Sequence, residues 1–194
     1  WDLLDTIDGD MLLKPDPSTA RLVPWANEVT GQIIHDCFTK DGQPHPFSSR
    51  NILKRVLALY EKEGLTPIIA PEMEFYLVEQ NPDPDLPLKP PIGRSGRPES
   101  ARQSYSIDAA NEFEPFVKLM YNYCEAMELD IDTLIHESGA AQLEVNFLHG
   151  DPLKLADQVF TFKRTVREAA LKNGIYATFM AKPMSTEPGS ATHI

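Results

Sequence analysis

The chain has 194 residues, a net charge of −11, 42% apolar and 24% charged residues. That is long enough to bury a substantial core and has the balance of a globular protein. A strongly acidic chain with no lysine/arginine stripe argues against a nucleic-acid partner. The absence of any run of eighteen apolar residues argues against a membrane span. Trp1-Asp2-Leu3-Leu4-Asp5 has neither the basic nor the apolar region of a signal peptide, and two cysteines without metal or disulfide spacing fit the reducing cytoplasm. Cys37 and Cys124 read as small buried hydrophobes.

Residues 1–46 read as short strands joined by turns. Met11-Leu12-Leu13 is apolar, Lys14-Pro15-Asp16-Pro17-Ser18 breaks the chain, and 20–25 and 29–38 are extended candidates. Asp41-Gly42-Gln43-Pro44-His45-Pro46 is the expected boundary, giving domains 1–46 and 47–194. A helix follows: Ser48 or Ser49 caps it, Ile52, Leu53, Val56, Leu57 and Tyr60 form an apolar stripe, and Gly64 ends it. From Pro67 to Val78 alternation predicts a strand with Glu72, Glu74 and Tyr76 on one face. Residues 81–103, dense in Pro, Gly, Arg and Ser, form a long loop of the kind that is functional or disordered.

A second helix is expected from about Asn111 to Met127, carrying Phe113, Phe116, Val117, Met120, Tyr121 and Cys124. Ile131 to Ile135 and Gln142 to Phe147 then read as a hairpin turning at Ser138-Gly139-Ala140. Gln142, Glu144 and Asn146 share its polar face, and Glu137 lies at or just before the tip. Asp151-Pro152 caps a third helix ending at Gly174, Ile175 to Ala181 is a last strand, and residues 187–194 are turn-rich. There is no internal repeat, and the order of elements is α+β.

A polar strand face is most simply a solvated one. Four glutamates on two strands are harder to place. At ~4 Å each like-charged pair costs roughly 4 kcal/mol at an effective dielectric near 20. Glu72, Glu74, Glu137 and Glu144 could stay ionised together around hard cations, Mg2+ or Mn2+, and His193 could add a nitrogen ligand. The rival reading, a general acid/base pair, needs only two of the four.

Several ordered motifs resemble the glutamine synthetase family. They are Pro-Glu-Met-Glu-Phe-Tyr (71–76), His-Glu-Ser-Gly-Ala-Ala-Gln-Leu-Glu (136–144), Ala-Asp (156–157), Phe-Met-Ala-Lys-Pro (179–183) and Gly-Ser-Ala-Thr-His (189–193). Pro-Asp-Pro-Ser-Thr (15–19) and Pro-Trp (24–25) fit too. Tyr-Ser-Ile-Asp (105–108) and Leu-His-Gly-Asp-Pro-Leu (148–153) are similar to the γ-glutamylpolyamine synthetase branch.

The resemblance implies the tail of a β-grasp-like N-terminal domain, then the first half of a catalytic domain built on a curved antiparallel sheet, or half-barrel, with flanking helices. It implies an ATP-dependent ligase that joins glutamate to an amine or ammonia through γ-glutamyl phosphate with two divalent cations. Glu74, Glu137 and Glu144 match the ligands of one ion, and Glu72 and His193 match two ligands of the other. Gly189 matches the position near the amino-acid substrate, Tyr105 a tyrosine near the ammonium site, and Asp132 a nucleotide-contacting position. The family's stacked rings imply a homo-oligomer.

Pro188 stands where ammonia-using members carry asparagine, and Thr192 where methionine is frequent. Further ligand and arginine motifs are expected beyond Ile194, and an Asp-Gly-Ser-Ser-type motif ahead of Trp1. The chain is thus expected to be a piece of a longer enzyme. The alternative is a non-catalytic fragment or pseudoenzyme of the same fold with a structural or interaction role.

Overall fold

A computed structural model describes residues 10–100 and 102–194, so Trp1–Asp5, read above for a signal peptide, lies outside the described residues. The chain divides into two compact units. Residues up to Val23 together with Glu28–Pro67 form the first, and Pro24–Asn27 with Ile68–Ile194 form the second.

In the first unit, β1 (Leu12–Pro15) pairs antiparallel with β4 (His35–Phe38), Leu12 opposite Phe38, and β2 (Arg21–Leu22) pairs with β3 (Gly31–Gln32). The two extended stretches expected here are therefore shorter strands. The interruption has a local cause: Pro17–Thr19 form a 3-10 turn capped by Asp16, and the backbone at Ile34 is bonded to it. Asp16 N donates to Ile34 O at 2.9 Å, and Ile34 N donates to Thr19 Oγ1 at 2.9 Å.

Helix α1 (Ser49–Lys62) starts after Ser48, whose side chain makes no capping bond, and Gly64 at φ 70° closes it. The side chains of α1 bond within the first unit. Arg50 bonds Asp16 and Asp36 at 2.6 Å each, Lys54 bonds Asp36 at 2.5 Å, and Asn51 Nδ2 donates to Cys37 O at 2.7 Å. Ile52, Val56 and Tyr60 of its apolar stripe remain exposed among the described residues.

The second unit is an antiparallel sheet backed by helices. Strand β5 (Glu72–Glu79) is central. On one side it pairs with β7 (Gln142–Phe147), which is flanked by β6 (Ile131–His136). On the other side β8 (Ile175–Thr178) covers Tyr76–Glu79, and β9 (Thr192–His193) covers Glu72 and Met73. The predicted period of two sorts the faces. Met73, Phe75, Leu77, Leu143, Val145 and Phe147 are buried in one core with residues of α3 (Glu114–Ala126) and α4 (Pro152–Lys172).

Phe75 anchors that core, its ring 6.3 Å from those of Phe116 and Phe162 and 5.3 Å from Phe179. Burying each such side chain contributes about 1.5–3 kcal/mol. Asp151 caps α4 by accepting from Lys154 N at 2.8 Å, as Asp-Pro predicts. The helix expected from Asn111 instead begins at Glu114, because Pro115 supplies an N-terminal start and a separate short helix, α2 (Ile107–Asn111), precedes it under a Ser106 cap. The expected turn-rich end contains β9.

Candidate metal centre

The opposite face of the sheet collects the acidic residues. Register does most of the work: Glu74 lies across from Glu144, Glu72 lies across from Asn146, and on its other edge Glu72 lies across from His193. Because β5 pairs on both sides, Glu72, Glu144 and His193, far apart in sequence, meet at one point. One ligand atom from each of Glu72, Glu144 and His193 lies within 4.8 Å of the other two. His193 Nδ1 is 3.0 Å from Glu72 Oε2.

Glu144 is the buried member, 7% exposed. Burial pushes its carboxyl above the ordinary range, the charges of Glu137, Glu72 and Glu74 push it further, and His193 pulls it back. A half-satisfied cluster of this kind is what a hard cation relieves, and two carboxylates with one imidazole nitrogen, with two more glutamates acting on them, suit Mg2+ or Mn2+. Asn146, on the same face opposite Glu72, has a buried Oδ1 with no donor among the described residues. The donor set therefore fits a divalent ion.

Around the acids runs a polar network. Glu74 Oε2 accepts from Gln142 Nε2 and from Ala191 N, both at 3.0 Å. Gln142 also donates to Gly189 O at 3.0 Å, while its Oε1 accepts from Gly139 N at 3.0 Å. The Tyr76 hydroxyl reaches Pro188 O at 2.7 Å and Gln142 Oε1 at 3.1 Å. Burial, then the charges of Glu187 and Glu74, raise the Tyr76 phenol, so it remains a donor. Gly139 lies so close to this ring that a Cβ there would be 2.0 Å from the Tyr76 oxygen.

Of the residues singled out from sequence, Glu72, Glu144 and His193 form the tight group. Glu74 and Glu137 stand outside that 4.8 Å triad, although both charges act on Glu144. Gly189 is linked to Glu74 through Gln142, whose Nε2 donates to both the Gly189 carbonyl and Glu74 Oε2. Tyr105 is 76% exposed, with φ 62°, and its N–H donates to His136 O at 2.8 Å, beside Glu137. Asp132 is exposed on the outer strand β6; the phenol it helps raise is that of Tyr121 on α3, after burial and Cys124.

Sequence reasoning missed Glu99. Its Oε2 is 3.0 Å from His136 Nε2 and accepts from Ala141 N at 2.6 Å, and its Oε1 accepts from Gln103 Nε2 at 2.7 Å. Burial opposes charge on His136, but the Glu99 carboxylate outweighs it and raises the imidazole above its ordinary value. This pair pins the long loop to the hairpin that carries Glu137 and Glu144. Nothing in the loop's composition marks Glu99; only the placement of His136 next to Glu137 hints at a partner.

The family profile "Glutamine synthetase, catalytic domain" matches residues 46–194. Among relatives, the glutamine synthetase of Pyrococcus horikoshii is 35% identical over 187 residues, covering 96% of this chain and 39% of its own length. That of Mycolicibacterium smegmatis is 32% identical over 191 residues, covering 96% and 41%. The chain thus spans about two fifths of the length of these relatives. A solved structure described as "GmaS/ADP complex-Conformation 1" superposes with a TM-score of 0.76 at 26% identity, covering 98% of this chain and 42% of that one. A second, described as "Crystal structure of novel glutamine synthase homolog", matches in fold with a TM-score of 0.78 at 22% identity, covering 98% and 43%. With the acidic face, the ordered motifs and the matched span in agreement, the chain belongs to the glutamine synthetase catalytic-domain family.

Proposed function

We propose that the protein carrying this chain is an ATP-dependent ligase that couples the side-chain carboxylate of glutamate to an amine. A carboxylate oxygen attacks the terminal phosphorus of ATP, releasing ADP and leaving γ-glutamyl phosphate. The bound ammonium group of the acceptor first gives up a proton; its neutral nitrogen then attacks the γ-carbonyl carbon, phosphate departs, and the nitrogen loses a second proton to leave the amide. The observation that carries this reading is the convergence of Glu72, Glu144 and His193 within 4.8 Å, with Glu74 and Glu137 charged alongside.

By their match to the family, Glu74, Glu137 and Glu144 would hold one divalent ion, and Glu72 and His193 would contribute to a second. When bound, such ions neutralise the charge on transferring phosphoryl oxygens. The chain's own residues do the rest. Glu137 and Glu144 supply the negative field that attracts a cationic amine. Gly189, packed 3.0 Å from the Ala181 carbonyl at the position of its absent Cβ, keeps the backbone close beside Glu74. Tyr105, exposed next to Glu137, is available to the acceptor. The ADP named in the 26%-identical structural relative supports a nucleotide as co-substrate.

We assign the acceptor as an alkyl mono- or diamine. Pro188 supports this, because its carbonyl is engaged by Tyr76 and its ring offers an apolar surface where ammonia-using relatives carry a polar amide. In the whole protein, glutamate-dependent release of phosphate from ATP should respond to millimolar amine more than to equal ammonium, compared as kcat/KM. A larger value for ammonium overturns the acceptor assignment and leaves the ligase. No stimulation by either overturns the ligase.

A further inference from the structure

We infer that Gln142 is a positioning residue that fixes Glu74, holding one carboxylate oxygen so that the other stays open to a cation; this rests on the metal reading proposed above. Gln142 is 1% exposed and sits on β7 among three segments: β5, the 137–141 turn and the approach to β9. A glutamine amide has two N–H donors and two acceptor sites on its oxygen. Here Nε2 donates to Glu74 Oε2 and Gly189 O. Oε1 accepts from Gly139 N, with a weaker share, at 3.1 Å, of the single hydrogen of the Tyr76 hydroxyl, whose oxygen lies 2.7 Å from Pro188 O.

The orientation is forced by its partners. Turned over, the amide would set its NH2 against the Gly139 N–H and its oxygen against the Glu74 carboxylate and the Gly189 carbonyl. Glu74 Oε2 meanwhile takes a second N–H from Ala191. Both donors converge on that one oxygen, and no described residue donates to Oε1. A carboxylate tied at one oxygen and bare at the other is pre-set as a monodentate ligand. A partner of this kind, one bond away from a ligand, typically governs metal affinity by about 10- to 100-fold.

The test is Mn2+ binding, followed by the loss of the free-ion paramagnetic resonance signal, in a cycle of four proteins: the unaltered chain, Q142M, E74Q and the double variant. Methionine keeps the volume and removes the bonds to Glu74, Gly189 and Gly139. Q142E, which keeps the acceptor toward Gly139 and Tyr76, replaces it if Q142M melts below the unaltered metal-free chain by so much that it is unfolded at assay temperature.

We expect Q142M to weaken binding about 10- to 100-fold in the unaltered background. With Glu74 already neutralised, the same change should matter less than about twofold, since coupled residues are not additive. Equal losses in both backgrounds would reduce Gln142 to a packing role and overturn the inference. So would unchanged affinity in Q142M while the unaltered chain binds Mn2+, a result that leaves the metal reading standing. No binding by the unaltered chain would overturn both.

Discussion

At the scale of single residues, the cluster stores electrostatic repulsion in the metal-free chain. Glu144 shows it most, being buried and surrounded by Glu137, Glu72 and Glu74. A carboxyl whose folded pKa is raised contributes stability below its unfolded value and loses that contribution as pH rises through the folded one. At neutral pH it is therefore a liability without a cation. We expect Glu144→Gln to raise the melting temperature of the metal-free chain by a few degrees at pH 7, about 1 kcal/mol for a domain of this size. The gain should shrink as pH falls towards the ordinary glutamate value of 4.5. An unchanged or lower melting temperature in calorimetry would mean that the repulsion is screened already. Cys124 gives a second residue-scale outcome. Burial pushes its thiol up to about 12, while Cys37 is only half-buried. A thiol reagent at pH 8 should leave Cys124 unlabelled until denaturant is added, with peptide mapping locating any label at Cys37.

Among the elements, two junctions bear most of the consequences. The turn between β6 and β7 exists in its form because residue 139 has no side chain: a Cβ would be 2.6 Å from the Tyr76 ring as well as 2.0 Å from its oxygen. Gly139→Ala should therefore cost about 2–3 kcal/mol, as overpacking does, and should do so through the strand that carries Glu74. Denaturant unfolding measures it; a cost under half a kilocalorie would mean that the turn can shift freely. In the first unit, Arg50 joins α1 to both Asp16 and Asp36, beside the bonds of Lys54 and Asn51 to β4. Ser18 hydrogen bonds and Arg50 hold the Asp16 carboxyl at about 2, against an ordinary 3.8. That contribution is present above pH 3.8 and is lost as pH falls through about 2. Arg50→Leu should remove about 2 kcal/mol at pH 7 and flatten the acid limb of the stability profile. A parallel acid limb would remove Arg50 from the account of Asp16.

For the whole molecule, what the sequence discloses follows from how local each cause is. The period-two alternation over 72–78 and 142–147 sorts core from acidic face without reference to anything distant. Asp151-Pro152 and Gly174 mark the ends of α4 by local chemistry. What stays hidden depends on partners far along the chain. His193 becomes a strand residue because Glu72 and Met73 leave an open edge for it, which residues 187–194 alone do not signal. Glu99 is a buried partner of His136 only once the loop is folded. The short extended stretches near the N-terminus are cut by a turn whose bonds run from Asp16 and Thr19 to Ile34. The acidic face is thus readable as a face, while the grouping of Glu72, Glu144 and His193 needs the sheet register.

The central claim is that this face is a divalent-cation site, and titration calorimetry with Mn2+ at pH 7 tests it most directly. The unaltered chain should give a saturable heat, and Glu144→Ala, which removes the buried carboxylate of the 4.8 Å group, should abolish it while the variant still melts cooperatively. The absence of a saturable heat with the unaltered chain, or an isotherm that Glu144→Ala leaves unchanged, would contradict the assignment.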